Sequence, residues 1–491
     1  MPQSPTSPNE LHIEFVTHAC LKLSGRFGTL VCDPWILNEP IANFVCWKFP
    51  VATIPPEQVI DGCDTVYITH CHEDHFHVPS LDRFPRDMRF LLPEYDTHPS
   101  LRAQTMERVL RSLGFYNIRK VRSWETVDLG AGAKLTVVPS AASRYYEWEN
   151  SGFVLEYAGS SILNMNDNIS DPELCKAIHE RFPDAFDIGF VQSCGTSMYP
   201  GCFRMSEEAM REEVRQRQIS MADQRRMIDL IRPKVVAPIA GDFAWYEDQY
   251  FHNNWTSRAT PEVFQDLVRR DYPDRDIEVM VFYPGDTWTP SGGLVRNHPE
   301  IDWDNYIDAI RIEAERFRPK VEAMTRWRDD VDLTRLAERS RDFTALVERW
   351  ITRNDIDFQA RFRHRIEGPN SGFDFVLRAT PEDGFSIAWD DDGPVDQTLY
   401  VPERIWAAVL EGKLLWTDLQ WNGQAEQHVE FRNDIARMWY WIEYYGALNN
   451  KSVQAIIEPR LYPQMVKPID PARGVFPMAD EWPSAPRKKA S

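Results

Sequence analysis

The run Thr69-His70-Cys71-His72-Glu73-Asp74-His75-Phe76-His77 constrains this chain more than any other feature. It directly follows the apolar stretch Val66-Tyr67-Ile68, which reads as a strand. Four metal-competent side chains, His70, His72, Asp74 and His75, fall within six residues. In an extended chain alternate side chains share a face, so His70 and His72 point together. A turn after them lets Asp74 and His75 face a second ion. Imidazole with carboxylate suits zinc, iron or manganese, and open coordination positions admit water, oxygen or substrate. The bland alternative is a polar loop, and histidine-rich tracts also bind metal without catalysis.

Composition narrows the partners. Lys plus Arg is 55 against 75 Asp plus Glu, a formal net charge of −20, which argues against a phosphate backbone as ligand and so against nucleic acid. No stretch approaches the ~20 apolar residues of a membrane span, so no membrane partner is expected. The Pro/Ser-rich residues 1–10 read as a flexible N-terminus without the apolar core of a secretory leader, and the expectation is a cytoplasmic protein. The eight cysteines are scattered with no CxxC pair. A Rieske cluster needs two Cys and two His in paired spacing, so none is expected here.

The length of 491 residues suits two or three domains. Up to residue 299 short apolar runs alternate with polar turns. Strands are expected at 11–16, 30–32, 65–69, 135–139, 153–157, 162–164, 188–191, 235–238 and 279–283, and helices at 99–113, 171–181 and 206–231. Interleaving of this kind predicts layered α/β architecture. The segment 284–293 reads as a turn-rich exit. Residues 300–450 read as a separate α+β domain, and 451–491 as an extended, Pro-rich tail.

The HxHxDH spacing of His70, His72, Asp74 and His75 resembles the signature of the metallo-β-lactamase fold, an αββα sandwich. Thr17-His18-Ala19-Cys20 followed by Asp33-Pro34-Trp35 is similar to that family's first hairpin. Gly152 to Tyr157, then Ile162 to Asp167, resembles the strand pair that delivers its bridging aspartate, which makes Asp167 the candidate bridge. Two departures stand out. No histidine precedes the Gly152 strand, where the sequence is Pro139-Ser140-Ala141-Ala142-Ser143-Arg144-Tyr145-Tyr146-Glu147, and none follows Val235 to Pro238, where it is Ile239-Ala240-Gly241-Asp242. Glu147, Tyr146, Asp242 and His252 are the candidate replacements. A histidine-depleted site is harder and leans toward iron or manganese.

Within that fold the chain resembles the CMP-N-acetylneuraminate hydroxylase branch over roughly residues 11–430. The shared segments are the Thr17 opening, Pro238-Ile239-Ala240-Gly241-Asp242-Phe243 and Leu414-Leu415-Trp416-Thr417-Asp418-Leu419. The branch carries a Rieske domain for which this sequence shows no pattern, so the resemblance implies an external electron donor. The 300–450 domain is weakly similar to the sterol-carrier-like fold, although Trp406, Leu410, Leu414 and Trp416 read as core rather than a ligand tunnel. Trp439, Trp441, Tyr444 and Tyr445 are candidates for a site cover or a homodimer contact.

His18 and Asp33, on the opening hairpin, are candidates for hydrogen bonds beneath the metal ligands. His77 is a candidate of the same kind, or a helix-start residue. Ser193, Cys194 and Tyr199 lie on a small-residue loop that suits a substrate pocket, and Arg144 and Arg204 are candidates to hold an anionic group. Three functions remain open. The first is a hydroxylase of a small polar molecule using two divalent metals, iron favoured and zinc or manganese the alternatives. The second is a binuclear hydrolase of an ester, amide or phosphodiester. The third is a ligand-binding protein with a degenerate metal site.

Overall fold

The computed structural model describes residues 9–442 except 42–45, 95–105, 108, 112, 141–149, 169–170, 193–198, 220–221, 241–242, 256–260, 276, 352–355, 357, 370–371, 412–413, 415, 417–418, 431–433, 436–437 and 440–441. Two compact units are present: Met1–Ser197 with Arg211–Arg318, and Met198–Met210 with Pro319–Ser491. The division falls not at 299/300 but inside the helix Tyr306–Thr325, at Pro319, whose ring removes a backbone donor. Met198–Met210 joins the second unit because Phe203 bridges to Ala425, and the Arg204 N–H donates to the Ala425 carbonyl at 2.7 Å.

The first unit is two facing sheets with helices outside. One sheet has eight strands, and its parallel part runs through Gly28–Cys32, Thr65–Tyr67, Arg89–Glu94 and Ile118–Arg122. The other has seven, with a parallel run through Ser160–Asn164, Ile188–Gln192, Val235–Ile239 and Glu278–Val279. Alternate side chains of a strand face opposite ways, and the sequence uses this. Leu135, Val137, Phe153, Leu155, Ile188 and Phe190 face the interior and pack against Ile13, Leu21, Leu23, Leu30 and Tyr67 of the first sheet. Val138, Val154, Leu163, Val191 and Val236 face outward, under Leu174 and Ile178 of the helix Pro172–Arg181 and Met227, Ile228 and Ile231 of Ala222–Ile231. Asp171 caps the first of these helices by accepting from the Glu173 and Leu174 amides.

Two readings of the sequence are corrected. The segment 279–283 forms only the two-residue strand Glu278–Val279. The turn-rich 284–293 instead holds Thr287–Thr289, which pairs with the opening strand His12–Thr17 in the register Ile13 to Trp288 and then with Gly293–Val295. Turn residues hid a pairing across the whole length of the unit.

The second unit is a five-stranded sheet ordered Gly384–Trp389, Gly372–Thr380, Ala360–Glu367, Gln397–Pro402 and Gln424–Gln427. On the central strand Phe362, His364 and Ile366 are buried while Arg361, Arg363 and Arg365 face away from the core. Trp406, Leu414 and Trp416 are buried core residues packed with Phe343 and Phe375. His364 is stacked on Phe375, and the Trp416 indole N–H donates to its Nε2 at 3.0 Å. Burial pushes the His364 pKa down to about 3, so it is a neutral core residue. Trp441, Tyr444 and Tyr445 lie outside the described residues.

Gly152 shows how tightly the site-bearing strands pack. A Cβ there would collide with the Asn164 carbonyl and lie 3.2 Å from the Met165 Cα. Gly152→Ala is expected to destabilise the unit by about 1–3 kcal/mol through overpacking. It should also lower metal content, because the displaced strand Ser160–Asn164 leads into Asp167. Urea unfolding beside metal analysis checks both.

Candidate metal centre

The side chains in question leave the carboxyl ends of parallel strands, where open α/β sheets place their ligands. Asp33 follows Gly28–Cys32, His70 to His75 follow Thr65–Tyr67, and Asp167 follows Ser160–Asn164. The histidine run turns as expected, with the amides of His75 and Phe76 donating to the His72 carbonyl at 3.0 and 2.7 Å.

Two three-residue groups converge, His18–Asp74–His75 and His70–His75–Asp167, each with its ligand atoms within 4.8 Å of one another. His18 Nε2 lies 3.0 Å from Asp74 Oδ2. His75 Nε2 lies 3.1 Å from Asp74 Oδ2 and 3.4 Å from Asp167 Oδ2. Asp167 Oδ2 is also 3.8 Å from His70 Nε2, and His70 Nε2 is 2.8 Å from His72 Nδ1. One imidazole nitrogen has one lone pair, so His75 can ligate a single ion. His70, His72 and Asp167 could then hold one ion, and His18, Asp74 and His75 another.

The donor set fits metal. His75 Nε2 and the Oδ2 atoms of Asp74 and Asp167 crowd together in a buried pocket, and Asp167 Oδ1 beside them is buried without a hydrogen-bond partner. Buried polar atoms are ordinarily paired, and orphans call for an explanation such as an ion.

Beneath the groups lies Asp33, fully buried. Its Oδ1 accepts from the Thr69 amide at 2.8 Å. Its Oδ2 accepts from the Thr69 hydroxyl at 2.7 Å, from His75 Nδ1 at 2.9 Å and from the Asn166 amide. His75 therefore carries a proton on Nδ1 and turns Nε2 toward the ligands. The Thr69 hydroxyl, donating to Asp33, can accept from His70 Nδ1 at 3.0 Å, which leaves His70 Nε2 facing the site as well. His18 packs against the rings of Phe243 (4.8 Å) and Trp35 (5.7 Å), which wall off water on that side.

Burial opposes charge on Asp74, yet neighbouring His75 and the hydrogen bond with His18 outweigh it and hold this carboxyl well below the usual range. Burial likewise favours neutral His75, but Asp74, Asp167 and Asp33 around it raise its pKa well above the ordinary value. Without metal the pair is therefore ionised. Its contribution to stability disappears as pH falls through the depressed Asp74 value, and again as pH rises through the elevated His75 value. An ion that takes His75 must displace a proton. Metal affinity is accordingly expected to rise by about tenfold per pH unit below the His75 value, with one proton released. Calorimetric titration in buffers of different ionisation enthalpy checks this; a pH-independent affinity would contradict it.

The other candidates are placed as follows. His77 caps the helix Val78–Leu81, and the Ser80 hydroxyl, already accepting from the Ile36 and Leu37 amides, meets its Nδ1 at 2.7 Å. His252 is buried beside Trp245 and Phe251 and belongs to neither ligand group. Arg204 is in the second unit, paired with Glu367 at 2.7 Å and stacked on Tyr400. Tyr199 is in the same unit, against Phe203. Arg144, Tyr146, Glu147, Ser193, Cys194 and Asp242 lie outside the described residues. Sequence reasoning missed Thr69 and Asn166. Asn166 was legible only as a turn residue, although asparagine tolerates the left-handed backbone it adopts here, φ +51°.

Residues 34–228 match the beta-lactamase superfamily domain. The chain carries a beta-lactamase superfamily domain. Among curated proteins it is 30% identical over 244 residues to a Mycolicibacterium smegmatis protein provisionally named a Rieske 2Fe-2S iron-sulfur protein, covering 47% of this chain and 43% of that one. It is 24% identical over 297 residues to the cytidine monophosphate-N-acetylneuraminic acid hydroxylase of Danio rerio, covering 58% and 46%. The chain thus spans about half the length of the curated relatives it matches. Among solved structures, CmlA, a diiron beta-hydroxylase from Streptomyces venezuelae, aligns at 19% identity with a TM-score of 0.38, covering 58% of this chain and 55% of that one. Among the described residues no helix is long and apolar enough to cross a membrane.

Proposed function

We propose that the first unit houses a two-metal centre that hydroxylates a small polar molecule. The convergence of the His18, His70, His72, Asp74, His75 and Asp167 side chains in one largely buried pocket carries this reading. The hydroxylase names among its relatives support the reaction class. All the donors are nitrogen and oxygen, which suits iron or manganese as well as zinc.

Such a reaction converts C–H, dioxygen, two electrons and two protons into C–OH and water. Bound iron would supply the redox chemistry. The electrons would come from an iron–sulfur donor, a class that the naming of the mycobacterial relatives supports. The chain's own residues do the rest. Asp33 and Thr69 keep protons on the inner nitrogens of His75 and His70 so that both rings present Nε2. Asp74 and Asp167 set the negative charge that balances the cations. Trp35 and Phe243 exclude water beside His18.

His18 takes the place of the histidine that does not follow the strand Val235–Ile239. The Ala240 amide donates to the His18 carbonyl at 3.2 Å, so the opening hairpin delivers an imidazole beside the end of that strand. Metal analysis of anaerobically purified protein tests the whole reading. About two irons per chain with reductant-dependent oxygen consumption is the expected result. Two zincs with turnover that needs no reductant would make the protein a hydrolase, and sub-stoichiometric metal would make it a binding protein. His18→Ala is expected to lose one metal of the two; a variant that keeps both removes His18 from the ligand set.

A further inference from the structure

Asn166 stands one residue before Asp167, fully buried, with a backbone that glycine would adopt more easily. Its side chain does something glycine could not. The Nδ2 group donates to Asp33 Oδ2 and, at 3.2 Å, to Thr69 Oγ1. These two acceptors each hold the inner nitrogen of a different histidine: Asp33 meets His75 Nδ1 at 2.9 Å, and Thr69 meets His70 Nδ1 at 3.0 Å. The amide is oriented through its NH2 end, because its Oδ1 is buried without a partner and carboxylate Asp33 can only accept.

We propose that Asn166 is a positioning residue that keeps His70 and His75, one on each side of the metal centre, in the tautomer that presents Nε2. The inference rests on the metal-centre reading above. The Thr69 hydroxyl has one proton and gives it to Asp33, while the Asn166 amide occupies one of its lone pairs. With the amide gone, that hydroxyl is free to rotate and donate to His70 Nδ1. His70 would then carry its proton on Nε2, where it cannot bind a cation. The same loss leaves Asp33 one donor short and the His75 ring less firmly held. Asparagine at this position therefore couples the two histidines through one carboxamide, at the expense of an easier backbone.

The test separates backbone from amide. Asn166→Gly relieves the left-handed φ and removes only the carboxamide. Cobalt(II) is titrated into the metal-free full chain and followed by its visible bands and by calorimetry, with thermal unfolding of the metal-free protein alongside. N166G is expected to stay folded without metal, unfolding within a few degrees of the unsubstituted chain because the relieved backbone offsets part of the lost hydrogen bonding, and to bind cobalt about 10–100-fold more weakly with altered bands. Thr69→Val, which cuts the link to His70, should weaken binding by a similar factor. The double variant should fall well short of the product of the two, because both remove one shared link. Unchanged cobalt affinity in N166G overturns the inference, as does a simple product in the double variant. An N166G chain that unfolds without metal would show the amide to be a structural prop, which also overturns it. An unsubstituted chain that binds no cobalt would instead overturn the metal-centre reading itself.

Discussion

Asp167→Ala is expected to empty both halves of the metal centre. Among the described carboxylates Asp167 is the one that faces both histidine sets, 3.8 Å from His70 Nε2 and 3.4 Å from His75 Nε2. In the proposed centre its removal would take a ligand and a negative charge from both cations at once. Outer partners of ligands are worth about 10–100-fold in metal affinity, and a ligand shared by two ions should exceed that. His72→Ala and His75→Ala serve as comparisons, since each belongs to one side and should leave about one metal per chain. Metal content after dialysis measures all three. An Asp167→Ala chain that retains two metals would show that the carboxylate lies outside the coordination sphere.

Asp33→Ala is expected to have the largest effect on stability. The substitution leaves the Thr69 amide, the Thr69 hydroxyl, His75 Nδ1 and the Asn166 amide without their acceptor in a fully buried pocket. Stranded buried donors cost about 1–3 kcal/mol each, and breaking one side of a buried charged network costs about 3–5 kcal/mol in all. Urea unfolding of metal-free protein, where ligand loss contributes nothing, isolates that figure. A change below about 1 kcal/mol would mean that the pocket relaxes and the four donors find other partners.

Much of this was legible in the sequence, and the exceptions share a cause. The strands 135–139, 153–157 and 188–191 were readable because each is a local apolar run. The histidine run was readable because its spacing is local too. The strand Thr287–Thr289 was not, since its partner Ile13 lies at the other end of the unit and its own neighbours are Pro, Gly and Asp. The alliance of Met198–Met210 with the second unit was hidden for the same reason, because it depends on Phe203 meeting Ala425. At the candidate site, His18 and Asp33 could be named only as residues beneath the ligands. That His18 arrives beside Ala240 is a tertiary fact, and so is the meeting of Asn166 with Thr69. No pattern within a window of ten residues encodes either.

His18, Asp33, Asn166 and Ala240, the residues at the corners of this centre, all have left-handed backbones, with φ between 45° and 51°. Glycine would remove a penalty of about 1 kcal/mol at such a corner. A directed-evolution campaign that screened this chain for heat tolerance alone would therefore admit glycine at His18, Asn166 and Ala240, but not at Asp33, whose four buried hydrogen bonds outweigh that gain. At Ala240 the swap discards only a methyl group and should pass unnoticed. At His18 and Asn166 it would enrich clones that survive the oven and have lost their metal, so a screen on this scaffold has to score metal retention and ruggedness together.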